Sequence, residues 1–181
     1  NGSVFGVLLK YDIGKEHKNY LNLTSTMSAL TPQDEITAGI IGLGSFATST
    51  ILPHLKELNK EKSRVKILAL ASATGKKAKE TAEKWNAEYI TNDYQKIISD
   101  KRINLVVCAT RHSSHSKIAE EALRADKNLY IEKPLALNET ELKKVLKAAE
   151  TSKGCLLVGF NRRFSVHFKK AKEVFAGRNT P

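Results

Sequence analysis

Ile36-Thr37-Ala38-Gly39-Ile40-Ile41-Gly42-Leu43-Gly44-Ser45-Phe46-Ala47 is the most informative segment of the chain. A short apolar run stops at the spacing Gly42-x-Gly44-x-x-Ala47, and a helix-like stretch follows. This is the strand–turn–helix opening of a dinucleotide-binding unit, and its small residues have separate jobs. Gly42 permits a tight turn, Gly44 lets the backbone approach a pyrophosphate, and Ala47 lets helix pack against strand. The N–H groups of the helix start, at Ser45 and Phe46, then face the phosphates with the helix dipole behind them. The glycine spacing alone recurs by chance in many chains. Its place after a strand and before a helix is what makes it informative. Pro53, inside that helix, predicts a kink or a shortening.

Working outward, strand and helix patterns alternate. Residues 65–71 read as a strand ending at Ser72, and a helix follows from Gly75 with Ala78, Ala82 and Trp85 on one side. Residues 89–91 are a short strand, 93–99 a short helix, and 103–109 a strongly apolar strand. Residues 116–124 form a helix with Ile118, Ala119, Ala122 and Leu123 inward, and 128–131 a strand. Asn138 caps the next helix, and Glu141 completes a capping-box-like pair. That helix repeats Leu142, Val145, Leu146 and Ala149 at helical spacing and stops before Gly154. Residues 155–160 are a further strand. Such alternation implies an α/β fold, a doubly wound parallel sheet covered on both faces, which is the Rossmann NAD(P)-binding architecture. The unbroken apolar run 105–109 agrees, because a strand buried on both faces has no polar side to show.

The ends break the pattern. Residues 4–9 are a lone β-like run followed by a polar stretch to Asp34, and residues 164–178 begin a new helix. A lone strand is unstable without a partner. The expected organisation is an N-terminal extension over 1–35 that could be the tail of a preceding domain, a dinucleotide-binding domain over 36–165, and the start of a truncated C-terminal substrate domain over 166–181. The chain reads as a piece of a longer protein.

Composition narrows the classes. The 181 residues are 41% hydrophobic and 27% charged, ordinary for a soluble globular protein. No apolar run approaches the roughly 20 residues that span a bilayer, and no basic-then-apolar export signal opens the chain, so no membrane partner is expected. Cys108 and Cys155 both sit in apolar runs and read as buried, inert thiols of a reducing cytoplasm. The net charge is +11. The lysines are scattered over helix-like segments (Lys76, Lys77, Lys79 and Lys84; Lys143, Lys144 and Lys147) without aromatic interleaving, so nucleic acid is not expected as a partner. A positive field also attracts an anionic dinucleotide or sugar nucleotide.

Three further motifs carry a resemblance. The strand 129–131 runs into Glu132-Lys133-Pro134, and the run Val107-Cys108-Ala109-Thr110-Arg111-His112 is followed by His115. Together with the glycine turn, this resembles the glucose–fructose oxidoreductase / inositol dehydrogenase (Gfo/Idh/MocA) family over about residues 36–165. Gly159-Phe160-Asn161-Arg162-Arg163-Phe164 is similar to that family's exit from its Rossmann domain. With the extra N-terminal segment, it looks like the subgroup fused behind a zinc-dependent alcohol-dehydrogenase-like domain. The resemblance implies hydride transfer between a nicotinamide and a carbon-bound hydroxyl of a sugar, polyol or sugar nucleotide. It makes Lys133 the catalytic lysine beside the substrate hydroxyl, and Pro134 a proline that is often cis. Glu132 either orders the loop or binds substrate or cofactor. Thr110 and His115 match positions lining the nicotinamide ribose, although His115 also reads as a loop or N-cap residue. Most relatives have proline and asparagine at Arg111 and His112. His112 and His115 could face one metal, but no third ligand is evident, so none is expected. Asn161, Arg162 and Arg163 stand at the domain junction, where they touch substrate or cofactor or make interdomain salt bridges. The family's catalytic histidine, most of its substrate pocket and its usual oligomer interface lie in a second domain, so this chain alone is expected to bind cofactor weakly and not to turn over.

Cofactor choice turns on the end of the second strand, Ala71-Ser72-Ala73-Thr74-Gly75-Lys76-Lys77. NAD enzymes usually hold the ribose 2′-hydroxyl with Asp or Glu there. Here no carboxylate repels a 2′-phosphate, Ser72 and Thr74 can donate hydrogen bonds, and Lys76 or Lys77 can supply charge. NADP is expected over NAD. Two other classes share the glycine turn. A non-catalytic dinucleotide sensor has no need of Lys133. An S-adenosylmethionine methyltransferase usually has an acid where this chain has Ser72.

Overall fold

The computed structural model describes residues 35–60, 65–73 and 75–176, with the side chains of 59–60 and 75–78 excepted. The run 4–9, Thr74 and the side chains of Lys76 and Lys77, all singled out from sequence, lie outside the described residues.

Six strands form one parallel sheet: β1 (Ile36–Ile41), β2 (Val65–Ala71), β3 (Tyr89–Thr91), β4 (Leu105–Cys108), β5 (Asn128–Glu132) and β6 (Leu156–Gly159). Their order is β3-β2-β1-β4-β5-β6. The order reverses between β1 and β4, where a ligand crevice opens outside the carboxyl ends of the strands in sheets of this kind. The register carries the exits of β1, β2 and β4 to one level: Ile41 pairs with Ala71 on one side and Cys108 on the other.

The connecting helices are α1 (Leu52–Lys60), α2 (Gly75–Trp85), α3 (Gln95–Ser99), α4 (His115–Arg124), α5 (Glu139–Thr151) and α6 (Val166–Phe175). Two cores flank the sheet. On one face Ile97, Ile118, Leu123 and Val145 from α3, α4 and α5 pack against Val106, Leu129 and Ile131. On the other, Leu52, Leu55 and Trp85 from α1 and α2 pack against Ile40, Leu70 and Val107. This second face is not fully covered, contrary to the expectation from alternation. Helices α1 and α2 serve the β1–β2–β3 half, whereas both crossovers beyond β4 lie on the first face. An apolar groove of about 470 Å³ remains over β4–β6, bordered by Leu55, Leu58, Val107, Tyr130 and Leu157. Helix α6 buries none of its residues.

Pro53 acts differently from expectation. The helix neither stops nor shortens there; a π segment, Ala47–Ile51, precedes α1. Proline has no N–H for the carbonyl four residues back and its ring crowds that carbonyl, and a wider turn accommodates both effects. Helix α5 starts as read: Asn138 Oδ1 accepts from the Glu141 N–H at 2.9 Å, and Glu141 Oε2 accepts from Leu137 N–H at 2.9 Å. The two thiols are unlike. Cys108 is buried, and burial pushes its thiol pKa up, whereas Cys155, just before β6, is only half-buried because it borders the uncovered face.

Candidate functional site

The sequence-derived site residues that the structure describes gather at the carboxyl edge of the sheet. The exit from β1 is made by Gly42, whose φ of +94° suits glycine alone and whose N–H donates to Ala71 O at 2.9 Å. A Cβ there would lie 2.6 Å from Ala109 O, so the turn is pressed against the exit of β4. Gly44 is the opposite case: a Cβ on it would meet nothing within 4 Å. The backbone at Gly44 therefore borders open space, in front of the helix that begins at Ser45 and Phe46. The first N–H groups of a helix have no acceptor within it and are free to meet an anion. Ala47 is completely buried, which lets this helix lie close on the sheet. These features fit a pyrophosphate.

Ser72 leaves β2 with its N–H on Thr91 O at 3.0 Å. No carboxylate follows β2 through Ala73. Thr110, just beyond β4, pairs its hydroxyl with Ser114 Oγ at 2.7 Å. Asn161, Arg162 and Arg163 form an exposed 3-10 turn, Asn161–Phe164, after β6, with the Arg163 guanidinium 4.9 Å from the Phe164 ring centre. Asn161 and Phe46 both border the apolar groove.

The β5 exit carries the Glu132-Lys133-Pro134 motif. Glu132 ends the strand with Oε1 accepting the Tyr130 hydroxyl at 2.6 Å. Burial, then this carboxylate, pushes the Tyr130 pKa well above the ordinary phenol value. Lys133 follows, exposed, and makes no hydrogen bond or ion pair with the described residues. The Lys133–Pro134 peptide is cis.

His115 departs from the expected ribose-lining role. It has no exposed surface; its Nδ1 lies 2.8 Å from Pro134 O and its Nε2 3.2 Å from Thr110 O. It is the first residue of α4, but no side chain caps that helix. Its ring meets His112 edge to face at 5.8 Å between centroids. Sequence reasoning missed the bond between Tyr130 and Glu132, although two residues apart on a strand share a face. It also missed the burial of His115, which the periodic stripe Ile118, Ala119 and Ala122 extends back to reach.

A glycine turn at the switch point of this sheet places the chain among the dinucleotide-binding α/β domains. The model of an oxidoreductase family, described as its NAD-binding Rossmann fold, matches residues 36–160. The chain is 31% identical over 145 residues to the uncharacterised oxidoreductase YrbE of Bacillus subtilis, covering 77% of this chain and 40% of that protein. It is 28% identical over 141 residues to inositol 2-dehydrogenase of Salmonella typhimurium, covering 77% and 41%. The crystal structure of a probable dehydrogenase from Thermotoga maritima superposes with a TM-score of 0.68 at 28% identity, over 78% of this chain and 41% of that one. The chain belongs to the Gfo/Idh/MocA oxidoreductase family and carries its NAD-binding Rossmann fold. It spans about two-fifths of the length of these relatives: 40% and 41% of the two proteins.

Proposed function

We propose that this chain is the nucleotide-binding part of a dehydrogenase that acts on the CH–OH group of a sugar, polyol or sugar nucleotide, with NADP preferred. The observation that carries the reading is the carboxyl edge itself, where a glycine turn open to a pyrophosphate leaves β1 and a lysine without a partner among the described residues leaves β5, two strands away in one sheet. Gly42, Gly44, Ser45, Phe46 and Ala47 hold the pyrophosphate, and Thr110 borders the nicotinamide half. A nicotinamide held there would supply hydride transfer. Lys133 places its ammonium beside the reacting oxygen, favouring alkoxide character as the hydroxyl proton passes to a base of the following domain. Tyr130 steadies Glu132 next to it. Asn161, Arg162 and Arg163 line the junction with a following substrate domain that begins near residue 166. The complete protein is cytoplasmic, and an oligomer, where one forms, is built on that following domain.

The NADP preference rests on the sequence Ala71 to Lys77, which has no carboxylate and offers Ser72 and Thr74 as donors and Lys76 or Lys77 as charge. Calorimetric titration with NADPH and NADH side by side tests it: weak binding with NADPH tighter is expected, and equal affinities overturn the preference. In the protein that contains this chain, Lys133→Met should abolish turnover while cofactor affinity holds. Retained turnover removes the catalytic role of Lys133, and a complete protein that binds dinucleotide but turns over no substrate favours the sensor. Robust turnover by the isolated chain overturns its dependence on a second domain.

A further inference from the structure

Of the described histidines, only His115 is buried. Its two ring nitrogens face backbone carbonyls from two different loops. Thr110 O belongs to the loop after β4, and Pro134 O to the loop after β5, one residue beyond Lys133. A carbonyl oxygen only accepts, so these contacts require ring N–H donors. The contact from Nδ1 to Pro134 O, at 2.8 Å, has the distance of a good hydrogen bond, and through it His115, which follows the β4 loop on α4, ties that loop to the one after β5.

Helix packing does not call for this side chain. The same stripe of α4 is otherwise filled by Ile118, Ala119, Ala122 and Leu123, and an aliphatic residue would continue it without taking a polar ring out of water. An imidazole adds a rigid link of fixed length between two strand exits on one side of the crevice. The pyrophosphate turn lies at β1 and the adenosine ribose at the end of β2, so the loops after β4 and β5 flank the nicotinamide half.

We propose that His115 is a positioning residue. It clamps the loop that carries Lys133 to the loop that carries Thr110, and so fixes the nicotinamide half of the crevice without touching cofactor or substrate. The inference rests on the dinucleotide reading above.

The test compares NADPH with 2′-phospho-ADP-ribose, and NADH with ADP-ribose. Each fragment keeps the adenosine and pyrophosphate and lacks the nicotinamide. Titrations use the native chain, His115→Leu and His115→Asn. Leu keeps bulk and removes the donors, while the Asn amide stands close to where Nδ1 stands. The expected result is that His115→Leu weakens the dinucleotides about tenfold, the loss of one good hydrogen bond, leaves the fragments within about twofold, and that Asn restores most of the difference. Equal weakening of dinucleotide and fragment shows a merely structural role and overturns the proposal. So does an unchanged affinity, or a loss that Asn does not recover. His115→Gln, which moves the donor away from Pro134 O, stands in for Leu if circular dichroism shows the Leu variant unfolded. A native chain that binds neither the dinucleotides nor the fragments fails earlier, at the dinucleotide reading, and takes this inference with it.

Discussion

The two edges of this sheet are built to opposite plans. At the amino edge the loops are bound to one another by side chains. Lys127 is buried, with Nζ donating to Asp100 O at 2.8 Å and Ile103 O at 2.7 Å. Asn104 accepts from Thr37 N–H and donates to Glu35 O, both at 2.9 Å. Asn128 spans from Asn104 O to the Cys155 N–H. Gly154 lies so close to the Lys127 carbonyl that a Cβ would come within 2.1 Å of the oxygen. At the carboxyl edge Gly44 faces open space, and Lys133 and the Asn161–Arg163 turn are exposed. Polar groups there are left for a ligand, except where His115 and Tyr130 hold the frame. An edge that must only hold together satisfies its own donors. An edge that must receive a ligand leaves them unsatisfied.

The glycines give the largest contrast. In Gly154→Ala the new methyl meets backbone, which has to move, so a loss of about 3 kcal/mol or more is expected in urea unfolding. In Gly44→Ala stability should change by less than about 0.5 kcal/mol, because the methyl enters open space. Dinucleotide affinity should fall at least about tenfold in that variant, since the space is the one a pyrophosphate needs. A Gly44→Ala chain that binds as before erases the distinction between the edges.

The lysines come next. Lys127→Met takes the donor from the buried Ile103 carbonyl, while Asp100 O keeps the Ile103 N–H, and should cost about 2 kcal/mol with dinucleotide affinity unchanged. Lys133→Met should leave the unfolding midpoint where it was. If the two exchange these phenotypes, the division of labour between the edges is wrong.

This contrast also marks what the sequence could announce. The limits of β2 and β3 were legible to the residue, because apolar runs with turn residues at each end are local signals. The Gly42 turn and the Asn138 cap were legible for the same reason. The apolar run 103–109 overshot β4, Leu105–Cys108, because Ile103 is buried without pairing in the ladder. Lys127 stands between Asp126 and Asn128 in a turn and reads as solvated; it is buried only because the loop from Asp100 to Ile103 folds over it. His115 was picked out as a site residue, but its partners come from loops 5 and 19 residues away, which spacing along α4 does not reveal. Lone polar residues gain their roles from tertiary neighbours, and no local pattern encodes those.

Acid should act on the amino edge first. The Arg102 guanidinium, above all, holds the Asp100 carboxyl at about 2, against an ordinary 3.8. A carboxylate whose folded pKa is depressed stabilises the fold above its unfolded pKa. That contribution is lost as pH falls through the folded value, here from near 4 down to about 2. At the rim of the sheet, solvent screening reduces it to about 1 kcal/mol. Unfolding measured between pH 5 and 2 should therefore show a steeper loss in the native chain than in Asp100→Asn, with lysine-to-methionine change at 133 leaving the slope alone. Identical slopes in native and Asp100→Asn chains remove Asp100 from the account.

The smallest effect bears on the one polar pair at the carboxyl edge that behaves like the amino edge. Tyr130 and Glu132 share a face of β5, and the 2.6 Å bond between them holds the carboxylate beside Lys133. Tyr130→Phe keeps the ring in its place in the core and removes the hydroxyl. Because the pair is only part-buried, the loss should be about 0.5–1 kcal/mol in unfolding. The two roles left open for Glu132 then separate. If it orders the loop, freeing it loosens Lys133 and turnover in the complete protein falls with KM unchanged. If it binds substrate or cofactor, the released carboxylate gains a hydrogen-bonding position, and KM or the dinucleotide affinity moves instead. The bond already occupies one of its oxygens, so we expect the first outcome: a carboxylate that serves the frame of a site whose remaining groups serve the ligand.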